Sequence, residues 1–433
     1  MNWNGWSRIH LLGLVLFPVA LHGMDESRDG MAVAAVLQEW RPAVEQELTG
    51  NILPFWKKIE KPGGGYVGGI RNDLTVVEDS PVSLLLVTRL MWAYSHAYLE
   101  IHDTDYLGMA SRAYPYLNEH FGDVQHGGYF WMLDSESNPL NRDKYVYGQA
   151  FAIYALSEYY RASGDRTALD RAMGLFALLE EKAWEPDGGG YWEAFSEDWG
   201  PLQDLRLSSK DFNTPFTMNA HLHVLEAYTN LYRASGDEQV GAATRKVLRV
   251  MLDHVVVPDR SHFGLFFDAD WKRLDRIVSP GHDIEGSWLM WETANLLGDP
   301  ALLEEVRAVS VAMARHTLTH GIGPGGQVLE EFEEGHPANH GTSWWSQAEG
   351  MVGFLNAWQM TGDPAFLKAS HRVWEYIQSS IVDHEDGEWF AGRDADGKIL
   401  SRDKVGPWKA PYHNTRACLE VLERTVKMLP DSP

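Results

Sequence analysis

Cysteine is almost missing from this sequence, with Cys418 alone among 433 residues. A single thiol excludes an intramolecular disulfide and any zinc site built from several cysteines. Cys418 itself reads as a small buried apolar residue. Basic residues are also scarce, 37 Lys and Arg against 61 Asp and Glu, and the formal net charge is −24. Such a surface repels phosphate backbones, so nucleic acid is not an expected partner. Beyond the N-terminal stretch no apolar run reaches 18 residues, so the body of the chain is not expected to cross a membrane. No His-Glu-x-x-His or Cys/His ligand spacing is present. The sequence therefore carries no expectation of a metal or other cofactor.

Aromatic residues are plentiful instead: 18 Trp, 17 Tyr and 16 Phe. Most must fill a large core, but stacking on the C–H face of a sugar also suits them. Residues 1–23 stand apart. Arg8 and His10 precede the apolar stretch Leu11 to Leu21, a pattern similar to a secretory leader. A genuine leader implies export or a periplasmic location, and its absence a cytoplasmic one. Residues 24–433 are read as one domain.

One motif recurs six times: a Gly-rich turn followed by aromatic or apolar residues. The copies begin at Gly63, Gly127, Gly188, Phe263, Gly325 and Gly387, about 60 to 75 residues apart. A second mark runs in phase with it, at Gly164-Asp165, Gly236-Asp237, Gly298-Asp299 and Gly362-Asp363, with Asp103 where a fifth belongs. Gly ends a helix and Asp begins the next, so each mark predicts a turn between antiparallel helices. Thr167 to Ala183 carries one apolar stripe and predicts an outer helix. Tyr145 to Tyr160 is apolar nearly all round and predicts a buried inner one. Two helices in each of six repeats predict an all-α, (α/α)6 barrel, with the Gly-rich hairpins beside its mouth. An open solenoid usually has a shorter period.

Polar residues interrupt each inner helix near its start: Arg89; Tyr147 and Gln149; Asn219, His221 and His223; His282, Asp283 and Glu285; Trp344, Trp345, Gln347 and Glu349; Trp408, Tyr412, His413 and Asn414. Six sets in register are expected to converge on the axis, because buried polar groups are costly unless paired or used. His282 and Glu285 are three apart, so the carboxylate is expected to raise the imidazole's pKa and set its tautomer. Glu349 is expected beside His413. His221 and His223 are two apart, so only one should face the pore. His96 and His102 read as surface residues, and the run Glu330 to Glu334 as a solvated loop. Two histidines with carboxylate partners suit proton abstraction next to a carbonyl. Arg89 would hold the enolate oxygen.

The segments Met218 to His223, Gly281 to Glu285, Trp344 to Glu349 and Trp408 to Asn414 resemble the N-acylglucosamine 2-epimerase superfamily. The resemblance extends over about Trp56 to Glu423. It implies an (α/α)6 barrel that uses neither metal nor nucleotide and takes a small disaccharide as its partner. It also implies that the reducing-end glucose of a β-1,4-linked disaccharide such as cellobiose, or lactose, is opened and inverted at C2 through a cis-enediolate. By the same resemblance His282 and His413 are the acid/base pair, with His282 also assisting ring opening. Glu285 and Glu349 tune them. Arg89 and His223, here the pore-facing histidine, hold the opened sugar. Tyr147, Asn219, Trp345 and Trp408 line the pocket, with Trp408 a stacking platform. A monomer or weak homodimer is expected. The competing readings are an aldose–ketose isomerase on the same scaffold, which would reprotonate C1, a monosaccharide epimerase and, from another class, a glycoside hydrolase needing two carboxylates across the bond.

Overall fold

The computed structural model describes residues 28–426 apart from 337 and 338, so the leader reading at 1–23 lies outside the described residues. Among them, twelve principal helices alternate between an outer and an inner ring. The outer helices are α1 (Arg28–Gln46), α3 (Thr104–Tyr116), α5 (Arg166–Lys182), α7 (Glu238–Val250), α9 (Pro300–His320) and α11 (Pro364–Tyr376). The inner helices are α2 (Leu84–Ile101), α4 (Val146–Ser163), α6 (Met218–Ser235), α8 (Pro280–Leu297), α10 (Trp344–Thr361) and α12 (Tyr412–Val426). Each inner helix packs on the next, and α12 closes onto α2. This is the (α/α)6 barrel. No helix among the described residues is long and apolar enough to cross a membrane.

The Gly-Asp marks are the turns that lead from inner to outer helices. Gly164, Gly236, Gly298 and Gly362 adopt left-handed backbone at the C-caps, with φ between 64° and 74°. Glycine occupies that region without steric cost. In the first repeat His102 takes the same conformation, φ 61°. Asp103, Asp165, Asp237, Asp299 and Asp363 then cap the outer helices through their side chains.

The Gly-rich segments are hairpins at the mouth, and they join neighbouring repeats. A two-residue strand at or just before the start of an inner helix pairs with the hairpin of the following repeat: Val82–Ser83 with Met132–Leu133, Lys144–Tyr145 with Ala194–Phe195, Phe216–Thr217 with Phe266–Phe267. Ile277–Val278 with Phe332–Glu333 and Thr342–Ser343 with Gly392–Arg393 follow. A bridge between Ile70 and Val405 completes the belt. The run Glu330 to Glu334 is thus partly strand rather than a free solvated loop, and Glu334 pairs with Arg273 at 2.6 Å.

The polar residues of the inner helices divide into two sets, and only one faces the axis. The fourth residue of α4, α6, α8 and α10 is Gln149, His221, Asp283 and Gln347. These accept the backbone N–H of Tyr129, Tyr191, Phe263 and Val328 at 2.8–2.9 Å. They point away from the axis and clamp the Gly-rich hairpins. For Gln149, Asp283 and Gln347 this corrects the expectation of convergence on the pore, while His221 packs outward as the two-residue spacing from His223 predicted. Two residues further along a helix lies about 200° round it, so alternate polar positions serve opposite faces.

The second, sixth, ninth and thirteenth residues of the inner helices form the axial stripe. At the thirteenth position stand His96, Glu158, Asn230, Glu292, Asn356 and Arg424. There His96 meets Glu158 at 2.6 Å, Asn230 meets Glu158 at 3.0 Å and Arg424 meets Asn356 at 3.0 Å. His96 is therefore part of a polar plug at the far end and not a surface residue.

The ring is fastened where its ends meet. Glu388 accepts from Trp56 Nε1 (2.7 Å), Lys409 Nζ (2.7 Å) and Asn414 Nδ2 (2.9 Å), while Asn51 Oδ1 accepts its backbone N–H. Lys409 is buried. Glu388→Ala should therefore strand a buried ammonium and cost about 3–5 kcal/mol. Chemical denaturation would measure it. A loss below about 1 kcal/mol would show that the barrel closes without this node.

Candidate active site

The upper axial layers gather the residues that the sequence singles out. Arg89 on α2 donates to the Tyr147 hydroxyl (2.7 Å) and to the Trp408 carbonyl (2.9 Å), and its guanidinium lies 4.4 Å from the Phe151 ring. Tyr147 meets His223 edge-on at 4.7 Å. Trp345 stands between the two other histidines, 4.5 Å from His282 and 5.8 Å from His413. Trp408 is 38% exposed and lies 5.8 Å from Trp131 and 6.1 Å from Tyr147, an open aromatic ledge over the pocket. Asn219 Oδ1 is enclosed and has no hydrogen-bond partner among the described residues.

His413 Nδ1 lies 2.7 Å from Glu349 Oε1, and Trp288 Nε1 donates to the other carboxylate oxygen at 3.1 Å. His223 Nδ1 meets Glu226 Oε2 at 2.9 Å. His221 faces the other way, with Nδ1 2.7 Å from the Thr217 carbonyl and Nε2 at Tyr191 N.

His282 does not pair with Glu285. Its Nδ1 meets Ser279 Oγ at 2.7 Å, whereas Glu285 turns inward to Arg416 at 2.7 Å. Sharing a helical face was not enough, because a guanidinium from α12 offers the carboxylate a stronger partner. The expectation of a raised histidine pKa is also corrected. Burial pushes His282 down to about 3, helped by His223 and His413. Burial likewise pushes His413 down to about 4 in spite of Glu349, with Arg89 and Arg416 adding to the fall. Desolvation of the imidazolium outweighs one carboxylate neighbour.

Sequence reasoning missed Arg416, although it sits at the centre of the site. One end of its guanidinium donates to Glu226. The other reaches Glu285 (2.7 Å) and Glu349 (2.6 Å), and Tyr412 also contacts Glu226. The signal existed: an arginine three residues after His413 and four after Tyr412 in a buried helix. Glu226 was equally legible, three residues after His223. Arg416 pulls Glu349 down, while burial and the charge of Glu349 push Glu285 well up. Glu285, Glu349 and His413 are close enough together to hold a metal ion. The Arg416 guanidinium already supplies positive charge to both carboxylates.

The imidazoles of His223, His282 and His413 are thus each held at Nδ1, whereas both ring nitrogens of His221 are engaged. Arg89, Tyr147, Trp345 and Trp408 gather beside the first three, joining hydrogen-bonding groups and aromatic rings in one place.

Residues 64–417 match the family described as N-acylglucosamine 2-epimerase (GlcNAc 2-epimerase). The cellobiose 2-epimerase of Bacteroides fragilis is 39% identical over 383 residues, 88% of this chain and 97% of that protein. The solved structure of a cellobiose 2-epimerase from Bacillus thermoamylovorans superposes with a TM-score of 0.86 at 37% identity, covering 89% of this chain and all of that one. More distantly, a D-mannose isomerase of Marinomonas mediterranea is 24% identical over 84% of this chain and 92% of its own length.

Proposed function

Since the chain belongs to the N-acylglucosamine 2-epimerase family, we propose that this carbohydrate epimerase inverts C2 of the reducing-end glucose of β-1,4-linked disaccharides. Cellobiose would become glucosyl-mannose, and lactose epilactose. The observation that carries the reading is the pair of imidazoles flanking Trp345, His282 half-buried and His413 buried, each anchored at Nδ1. Inversion needs a base on one face of the carbon and an acid on the other, which histidines on different helices can provide. In this reading His282 also helps open the ring. Arg89 and His223 hold the opened sugar and the enediolate oxygens. Asn219, Tyr147 and Trp345 line the pocket, and Trp408 carries the second sugar.

The identity to cellobiose 2-epimerases favours this reading over an aldose–ketose isomerase, whose named relative is the more distant one. The geometry argues against hydrolysis. Glu226, Glu285 and Glu349 are all engaged by Arg416, and no two are left to flank a glycosidic bond. Burial holds both imidazoles below their ordinary pKa, so the one that takes the C2 proton becomes the imidazolium, and the other delivers to the opposite face a proton it has drawn from solvent. We read residues 1–23 as a secretory leader, which places the reaction outside the cytoplasm. We read the enzyme as a monomer or weak homodimer.

Incubation of the protein with cellobiose in deuterated water tests the proposal. Glucosyl-mannose carrying one deuterium at C2 is the expected product. A ketose as the main product would move the assignment to isomerase, and free glucose would move it to hydrolase.

A further inference from the structure

The two pocket histidines are anchored by different chemistry, and the difference begins at a helix cap. Ser83 and Thr217, the N-caps of α2 and α6, accept the backbone N–H of Leu86 and Ala220 through their hydroxyls. Ser279 is the N-cap of α8, yet its hydroxyl makes no capping bond. It is turned instead to His282 Nδ1 at 2.7 Å and to Glu331 Oε1 at 3.2 Å. The hairpin of the next repeat delivers that carboxylate. Val278 pairs with Phe332, so Ser279 and Glu331 are the next residues facing each other across the same ladder.

A hydroxyl has one proton to give. In its ionised form the Glu331 carboxylate accepts and does not donate, so the Ser279 proton goes to Glu331 and the Ser279 oxygen is left to accept from His282. This orientation requires the proton of the neutral imidazole to sit on Nδ1. From this arrangement we propose that Ser279 and Glu331 are positioning residues that lock His282 in the Nδ1–H tautomer, so that its Nε2 meets substrate as a bare lone pair. The proposal rests on the reading of His282 as an acid/base group. It adds an asymmetry to the pair: His413 leans directly on a carboxylate that can share its positive charge, while His282 leans on one only through a hydroxyl. Nothing in the helical spacing of α8 reveals this, because Glu331 lies 52 residues away.

Nitrogen NMR of the full-length protein, labelled in histidine and assigned by the His282→Asn variant, reads the tautomer without reference to turnover. At neutral pH the wild-type His282 should show a protonated Nδ1 and an unprotonated Nε2. Ser279→Ala should lose that single signature and lower kcat by about tenfold to hundredfold with KM little changed. Ser279→Thr keeps a hydroxyl and should restore both. Glu331→Ala frees the hydroxyl to turn round and should raise the Nε2–H fraction, with a smaller loss of kcat. The double variant should be no worse than Ser279→Ala, since the two act in series. A wild-type His282 protonated at Nε2, or a tautomer unaffected by Ser279→Ala, overturns the proposal. If the tautomer behaves as described but His282→Asn retains full turnover, the lock stands and the catalytic reading of His282 falls.

Discussion

Replacing Arg416 with leucine should destabilise the protein by about 3–5 kcal/mol and abolish turnover. The guanidinium is buried and bridges three buried carboxylates, Glu226, Glu285 and Glu349, from three different inner helices. Taking it away leaves negative charge in the low-dielectric centre of the barrel with no cation at contact distance. The chain can relieve this only by protonating the carboxyls or by admitting water. Either response removes the partner that orients His413, because Glu349 holds Arg416 and the imidazole through the same oxygen. Arg416→Lys keeps the charge but not the fork, and should recover part of the stability and little activity. Glu349→Gln added to Arg416→Leu should recover stability without activity, since it deletes one of the stranded charges. Denaturant titration of the four proteins decides the matter. An Arg416→Leu variant as stable as wild type would show that the three carboxyls are neutral in the native state and that the central network is not ionic.

Substituting either pocket histidine should cost activity rather than stability. His282→Asn and His413→Asn are each expected to lower kcat for cellobiose by about 10²- to 10⁴-fold, the usual contribution of a positioned acid or base. The two losses should differ in kind. If each imidazole serves one face of C2, each variant keeps the base for one epimer only. One variant should then still exchange the C2 proton of cellobiose with deuterated water, and the other that of glucosyl-mannose, with little inversion in either case. Exchange of the same epimer by both variants would mean that a single base serves both faces. The pH profile carries a sign as well. The imidazoles are held at about 3 and about 4 instead of the ordinary 6.5, so both remain neutral bases in the free enzyme well below neutrality. The acid limb of kcat/KM should accordingly lie below about pH 5. Stability follows the same groups. From 6.5 down to about 4 for His413 and about 3 for His282, the unfolded chain takes up protons that the folded imidazoles refuse. Their contribution is complete above 6.5 and is lost as the pH falls through that window.

The periodicity of this sequence determined its architecture. Glycine tolerates left-handed backbone and aspartate caps the next helix, so Gly236-Asp237 and its counterparts mark the same turn wherever they stand. Six repeats of paired helices then have one compact way to close. Spacing along single helices also drew attention to Arg89, Tyr147, His223, Trp345, Glu349 and His413, which share an axial stripe at matching helical positions.

Partnership across helices was decided only by the tertiary structure. Glu285 had the right spacing for His282 but found Arg416, 131 residues away, because a buried carboxylate takes the strongest cation within reach. Gln149, Asp283 and Gln347 looked like pore residues, yet with His221 they clamp the hairpins. A backbone N–H at a buried turn must be satisfied, and these four side chains are the acceptors the fold brings to it. Ser279 shows the same division. It stands at a helix start, but the hairpin of the following repeat set a carboxylate beside it and turned its hydroxyl to His282. A sequence records which groups lie on one face of one element. Burial, desolvation and the competition among neighbours from other repeats decide which of those groups meet, and in what charge state.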